Sequence, residues 1–262
     1  MIERIVGLVT EVHASRAVLW RLVRQQLILR YRRTVLGYLW TLINPLLMMS
    51  VMAMVFATIF KEDVKVFAVF LFAGMIPWNC FNSIVVQSSG AFINNEGLIK
   101  KIYLPKAVFP LSVSVGVIID SLLSFVALFA IIIAVGGTFS TALFFIPVAY
   151  VLLFMFSLGV GLVLSIVTVF FRDMQYVLQI AMQGLFFLTP ILYKSSALSG
   201  AVADFVALNP VVPYIELFRA PLTQGRVPDE SVIVQALVIS LVAFFVGLGA
   251  LLSQERKIVF RL

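Results

Sequence analysis

Long apolar runs separated by short polar punctuation set the rhythm of this chain. A helix needs about 20 apolar residues to cross the hydrocarbon of a bilayer. Uninterrupted windows of that kind fall at 36–60, 67–91, 107–135, 141–170, 174–193 and 231–253. Between them stand KEDVKV, FINNEGLIKKIYLPK, GGTFS, FRD and the segment 194–230, and the chain closes on QERKIVFRL. The pattern predicts an all-α polytopic membrane protein with six transmembrane helices, folded as a single transmembrane domain over 1–262. Its non-spanning parts are an N-terminal segment 1–35, a connecting segment 92–106 and the segment 194–230 before the last span.

Those three parts carry patterns of their own. In ASRAVLWRLVRQQLILRYRR, residues 14–33, Leu19, Leu22, Val23 and Leu27 recur at helical spacing with Arg16, Arg21 and Arg24 interleaved. The spacing predicts an amphipathic helix in the membrane interface, apolar face down, arginines among the phosphates. Such a helix serves either as a topology anchor or as a contact for an anionic headgroup. Arg30, Arg32 and Arg33 then stand directly against residues 34–60, which carry no charge.

In FINNEGLIKKIYLPK, Asn94 or Asn95 is placed to cap a helix with Glu96 in its first turn, where negative charge suits the helix dipole. Leu98, Ile102 and Tyr103 fall on one side, Lys100 and Lys101 form a rim, and Pro105 ends the segment. The product is a short amphipathic helix, fit either to dock into a groove on a soluble partner or to lie on the membrane as a connector.

Segment 194–230 holds two short apolar runs, 201–208 and 211–222, parted by NPVVP. Each is too short to cross a bilayer, and Pro210 and Pro213 interrupt helix. They read either as half-helices dipping into the outer face of the bundle or as a pair lying on its surface. Irregular backbone is tolerated at membrane depth where protein buries it or where it lines a cavity. Asn209, Pro210, Pro213, Tyr214 and Arg219 are the candidate residues of an outer gate.

The second span adds an aromatic stripe. Phe67, Phe70, Gly74, Trp78 and Phe81 share one narrow helical face, and Pro77 permits a local kink. Aromatic faces stack on sugar rings, so the stripe fits the wall of a glycan channel. It equally fits packing against lipid or a neighbouring helix.

Composition narrows the class. Hydrophobic residues make up 62% of the chain and charged residues 12%, against about 45–50% and about 25% in soluble domains. The net charge of +7 would suggest nucleic acid in a soluble protein, but its placement explains it better. With the N-terminus inside, fourteen of the 19 lysines and arginines fall on the inner side and five outside. That asymmetry puts both termini in the cytoplasm, and no nucleic-acid partner is expected. The N-terminus lacks the apolar core and cleavage site of a signal peptide.

No catalytic set is visible. GxxxxGK[ST], HExxH and GxSxG are all missing from the sequence. With one histidine (His13) and one cysteine (Cys80), neither a histidine-based metal cluster nor an intrachain disulfide is available. Asp120 is the one acid inside a span, suited to a structural pairing or to a proton relay. Arg172 and Asp173 are placed to form a local ion pair or to cap the fifth helix.

Four stretches, in order along nearly the whole chain, carry a resemblance: RYRRTVLGYLWTLINPLL, NNEGLIKKIYLPKAVFPLS, FFRDMQYVLQIAMQGLFFLTPILY and LNPVVPYIELFRAPL. Together they resemble the polysaccharide-exporting branch of the type-2 ABC transporter permeases, which includes exporters of O-antigen, capsule and teichoic acid. The resemblance implies a homodimer in a bacterial inner membrane, with two copies of a separate cytoplasmic ATPase chain. ATP and magnesium would be used by that partner, with no cofactor bound by this chain and no enzyme activity of its own. The second stretch corresponds to the family's coupling helix. It assigns contact with the ATPase to Asn95, Glu96, Gly97, Leu98, Lys100, Lys101, Ile102, Tyr103 and Pro105. A lipid-linked polysaccharide would pass through a channel between the two copies, its pyrophosphate met by Arg30, Arg32 and Arg33 and its sugars by Phe67, Phe70, Trp78 and Phe81. A stand-alone secondary transporter or channel is the competing class, but it calls for more intramembrane polar residues and usually an internal repeat. A membrane-embedded enzyme acting on lipid-linked sugars is a third, and it would need a paired set of acids.

Overall fold

A computed structural model describes residues 2–30, 36–135, 140–195 and 198–262. Those residues are helical nearly throughout, with no strand among them. Two helices, α1 (Ile2–Ala14) and α2 (Arg16–Arg30), precede the first long one, α3 (Trp40–Phe60). Then follow α4 (Val64–Ser89), the short α5 (Glu96–Lys101), α6 (Val108–Val135) and α7 (Ile146–Phe170). The last four are α8 (Met174–Leu188), α9 (Ala201–Ala207), α10 (Val212–Arg219) and α11 (Glu230–Arg261). Among the described residues five helices are long and apolar enough to cross a membrane, six if α9 and α10 with its extension to Gln224 count as one bent span.

The expected spans correspond to helices with instructive shifts. The second was placed at 67–91, yet α4 starts at Val64 because Asp63 caps it, its Oδ1 accepting from the N–H groups of Lys65 and Val66 at 2.8 and 3.2 Å. The fifth, expected at 174–193, is shorter. α8 stops at Leu188 ahead of Pro190 and is 15 residues long, about 22 Å at the helical rise. That is less than the roughly 30 Å of hydrocarbon. The last exceeds its expected window. α11 runs 32 residues, through the charged QERKIVFRL, because Leu251 and Ile258 are fully buried and hold the helix against its neighbours.

Two apolar clusters divide the bundle. Leu8, Leu22, Phe92, Ile99, Phe109, Val169, Leu251 and Ile258 belong to one, so α1, α2, α5 and both chain termini gather at one end. Phe81, Leu128, Leu153, Phe156, Tyr214 and Phe218 belong to the other, from mid-bundle outward. At the opposite end Lys194 pairs with Glu62 at 2.8 Å, and Ser140 Oγ donates to the Gly225 carbonyl at 2.6 Å. Helices α3, α4, α6, α7, α8 and α11 therefore alternate in direction between these two ends.

The tightest crossing is between α7 and α11. A Cβ built on Gly159 would lie 2.4 Å from the Ala243 carbonyl, and one on Gly247 2.5 Å from the Gly159 oxygen. Glycine at both positions lets the backbones touch, which is how helices gain dispersion energy where lipid offers no hydrophobic contrast. Polar atoms inside the bundle are tied locally: Ser157, Ser165 and Thr168 donate to carbonyls three or four residues earlier on α7.

The α2 stripe is used differently from expectation. Leu22 and Val23 are buried, and Gln26 reaches Ser112 on α6 at 3.4 Å. Trp20 and Ile28 are exposed on the other side. The helix thus docks on α6 with one apolar face and leaves a second apolar strip open.

Candidate functional site

The end that carries both termini holds the first candidate. A short turn of 3₁₀ helix at Ile93–Asn95 leads into α5. Asn95 does occupy the residue before α5, but its side chain caps nothing there, because its Nδ2 donates backward to the Ala91 carbonyl at 2.8 Å. Glu96 and Lys100 pair at 2.6 Å one helical turn apart. The hydrogen bond and charge of Lys100 hold the exposed Glu96 carboxyl below its ordinary pKa. Leu98 is half-buried against the apolar cluster, while Ile99, which spacing alone did not single out, is the residue that anchors the helix. Ile102 and Tyr103 are exposed, Tyr103 at 81%, with the Lys106 ammonium 5.7 Å from the centre of its ring. Gly97, Lys100 and Lys101 are exposed beside them, and Pro105 and Lys106 are buried at the base. Lys106 Nζ donates to the Leu104 carbonyl at 3.2 Å. With Glu255 and Val259 of α11, this segment rims a concavity of about 540 Å³. The segment thus presents an apolar knob flanked by exposed lysines over a buried base.

Of the basic triplet, Arg32 and Arg33 lie outside the described residues, and Arg30 ends α2. Asp173 sits at the start of α8, but its carboxylate makes no cap, and no ion pair joins it to Arg172 among the described residues. Asp120 lines a small cavity of about 110 Å³ with Asn79, Ser83, Ser121 and Ser124. Cys80 is buried there.

The opposite end holds the second candidate. The two half-helices form where they were expected, bent by 79° at the break between Ala207 and Val212. Asn209 makes that break. Its Nδ2 donates to Thr189 Oγ1 at 2.9 Å and to the Leu188 carbonyl at 3.3 Å, and its Oδ1 accepts from the Val211 N–H at 2.9 Å. Pro210 is exposed in the turn. Pro213 does not break helix but opens it, sitting in the first turn of α10 where a missing N–H costs nothing. Tyr214 is fully buried, its hydroxyl within 2.7 Å of Ser240 Oγ and 3.1 Å of the Ala236 carbonyl. Its ring stacks on Phe156, which stacks on Phe81, at centroid separations of 4.7 and 5.1 Å.

Arg219 closes this outer unit. It is 4% exposed, and its two terminal nitrogens donate to the carbonyls of Pro190 and Ile191, the latter at 2.6 Å. Its guanidinium lies 3.7 Å over the Phe70 ring. Gly74 makes room for it, since a Cβ there would fall 2.8 Å from Nη2. The guanidinium thus ties the chain after α8 to the face of α4. With Phe67, Phe70, Glu62, Lys194 and Glu216 it lines a cavity of about 370 Å³.

The aromatic stripe separates into two environments. Phe67, Trp78 and Phe81 are buried within the chain, Trp78 against Phe186 at 5.6 Å. Phe70 alone is half-buried, facing the outer cavity. The outer tie was only partly legible. An arginine in an apolar run signals a partner, but its partners are carbonyls, which leave no mark in a sequence.

Comparison with known proteins decides the family. Residues 17–223 match the ABC-2 type transporter family. The chain belongs to it. The match spans α2 through the last turn after α10, so the exposed α5 segment and the bent outer pair both lie inside the shared region of this ABC-2 permease. The permease is 30% identical over 256 residues to an O-antigen export system permease protein of Myxococcus xanthus, covering 96% of this chain and 98% of that one. It is 28% identical to a protein of the same description from Klebsiella pneumoniae, over 80% and 82%. A polysialic acid transport protein of Escherichia coli is 27% identical over 88% and 90%.

Proposed function

We propose that this ABC-2 permease is the membrane-spanning subunit of an ATP-driven exporter that moves a lipid-linked polysaccharide, O-antigen in the first instance, across a bacterial inner membrane. The observation that carries the reading is the near end-to-end relation to proteins described as O-antigen and polysialic acid transporters. The transport path lies between two copies of the chain. α8 supports this: only Leu178 and Met182 are buried on it, and Tyr176, Val177, Ile180, Phe187 and Leu188 are exposed apolar side chains. A second copy and the channel between would cover that surface.

Both termini and α5 face the cytoplasm, consistent with the basic residues gathered at that end. A separate ATPase, two copies per dimer, binds the Glu96–Tyr103 surface. Closure of the ATPase pair around ATP and magnesium presses on Ile102 and Tyr103, and the buried Ile99 passes that motion to the ends of α7 and α11. Arg30, Arg32 and Arg33 meet the pyrophosphate of the lipid carrier as bidentate donors. The α9–α10 pair, set by Asn209 and Arg219, is the outer gate, and Phe70 is its accessible aromatic wall. Phe67 lines it beside Phe70, and Trp78 and Phe81 shape that wall from behind.

Reconstitution tests this. The permease and its partner ATPase, in vesicles loaded with a lipid-pyrophosphate oligosaccharide, should move it only when ATP is hydrolysed. Movement without the ATPase would turn the reading to a stand-alone transporter.

A further inference from the structure

We propose that the cytoplasmic-end cavity between α2, the turn after α4 and α8 is a recognition site for the uncharged hydroxyls of a sugar chain, which rests on the exporter reading above. The cavity holds about 430 Å³, within the range of small-ligand sites. Its polar lining is made of amides: Gln25 and Gln26 from α2, Gln87 from the last turn of α4, Asn94 and Asn95 from the turn after it, and Gln175 and Gln179 from α8. Among the described residues, no Asp, Glu, Lys or Arg lines it. Leu22, Leu29 and Val113 supply an apolar floor.

Chemistry selects the ligand. Each amide offers both donor and acceptor, as does each sugar hydroxyl, so the two pair reciprocally. An anion would call for guanidinium or ammonium, and a cation for carboxylate. A wholly apolar ligand would strip water from the open amides and return no hydrogen bond. Among the described residues, the side chains of Gln25, Gln175 and Gln179 form no hydrogen bond with the protein, and both α8 glutamines keep accessible surface. Gln175 and Gln179 stand one turn apart, so both face the same side.

Gly90 is what brings the groups together. A Cβ there would lie 2.7 Å from Gln175 Nε2 and 3.0 Å from Asn94 Nδ2. The two amides rest on bare backbone, drawn from positions far apart in the chain. Gly90 has an ordinary helical conformation with φ −89°, so alanine fits the backbone and displaces only the amides. Asn94 also lies within the turn that leads into α5, which places the sugar beside the surface proposed to meet the ATPase.

The test uses the complex of permease and partner ATPase in nanodiscs. Three probes are titrated: a bare lipid pyrophosphate, the same lipid carrying an uncharged tetrasaccharide, and the same lipid carrying a tetrasaccharide with a uronic acid. Wild type should bind the uncharged glycolipid about tenfold tighter than the bare lipid, the worth of one or two net hydrogen bonds, with a smaller gain for the uronic acid form. Gln175→Leu with Gln179→Leu, and separately Gly90→Ala, should bring the uncharged glycolipid down to the bare lipid, whose own binding stays unchanged and reports intact folding. An undiminished tenfold gain in both variants, or no gain in wild type, overturns the site. ATP-driven movement of the glycolipid by wild type is scored separately: its absence overturns the exporter reading, and its presence with an undiminished gain in both variants overturns the amide site alone.

Discussion

Replacing Gly247 and Gly249 by alanine, one at a time, should move stability in opposite directions. Both lie on α11, two residues apart, and each gains about 1 kcal/mol of helix propensity on becoming alanine. Around Gly249 nothing lies within 4 Å of an added Cβ, so Gly249→Ala should keep most of that gain, about 0.5–1 kcal/mol. At Gly247 the new Cβ would meet the Gly159 oxygen at 2.5 Å and its Cα at 2.9 Å. Carbon contacts settle at about 3.5 Å, and the obstacle is backbone, which no rotamer change can move aside. α7 and α11 must part by roughly 1 Å, a gap that forfeits a quarter to a half of the dispersion well for each facing atom pair. Overpacking costs of this kind reach about 3 kcal/mol, so Gly247→Ala should be net destabilising by about 2 kcal/mol. The assay is thermal unfolding of the purified permease in one detergent, followed by loss of monodisperse protein on size exclusion after heating. Midpoints displaced in the same direction for both variants would refute the packing argument.

Other substitutions probe the two ends. Arg219→Gln should lower stability by about 2–4 kcal/mol through loss of two charge-assisted bonds and the ring contact, read as a lower unfolding midpoint together with faster amide exchange at Ile191. An unchanged midpoint would remove the tie between α8 and α4. Phe81→Ala should cost about 3–5 kcal/mol because it empties the stack with Phe156; a stable variant with altered glycan flux would instead make Phe81 a channel residue. Tyr103→Ala or Lys101→Glu, on exposed positions, should leave stability within about 0.5 kcal/mol. The same changes should abolish ATP-driven export while the ATPase still hydrolyses ATP, and full export would show that this surface docks nothing.

Much of the fold was legible because the signal is long and cheap to read. Apolar windows and the NPVVP interruption locate the long helices and the bent outer pair, while α1 left no apolar window to read. The misreadings share one cause, that a helix end is decided by a partner distant in sequence or by a single cap. Asp63 carries α4 into a charged stretch, and buried Ile258 carries α11 through one. Pro213 shows the converse: proline inside an apolar run marks a start as readily as a stop. The α5 segment was visible as an amphipathic helix, but its anchor, Ile99, depends on packing against α1 and α11 neighbours that periodicity over six residues cannot resolve. The stripe on α4 was correctly placed on one face. Which of its rings stay accessible is decided by Phe156, Phe186 and Arg219, on three other helices.

The most direct test of the exporter account is transport by vesicles holding the permease with wild-type partner ATPase, or with an ATPase that binds but does not hydrolyse ATP, and a fluorescent lipid-pyrophosphate oligosaccharide on the ATPase side. The account predicts that the oligosaccharide becomes accessible to an added glycosidase on the far side only with the hydrolysing ATPase. Equal exposure with both ATPases, or with none, would contradict it.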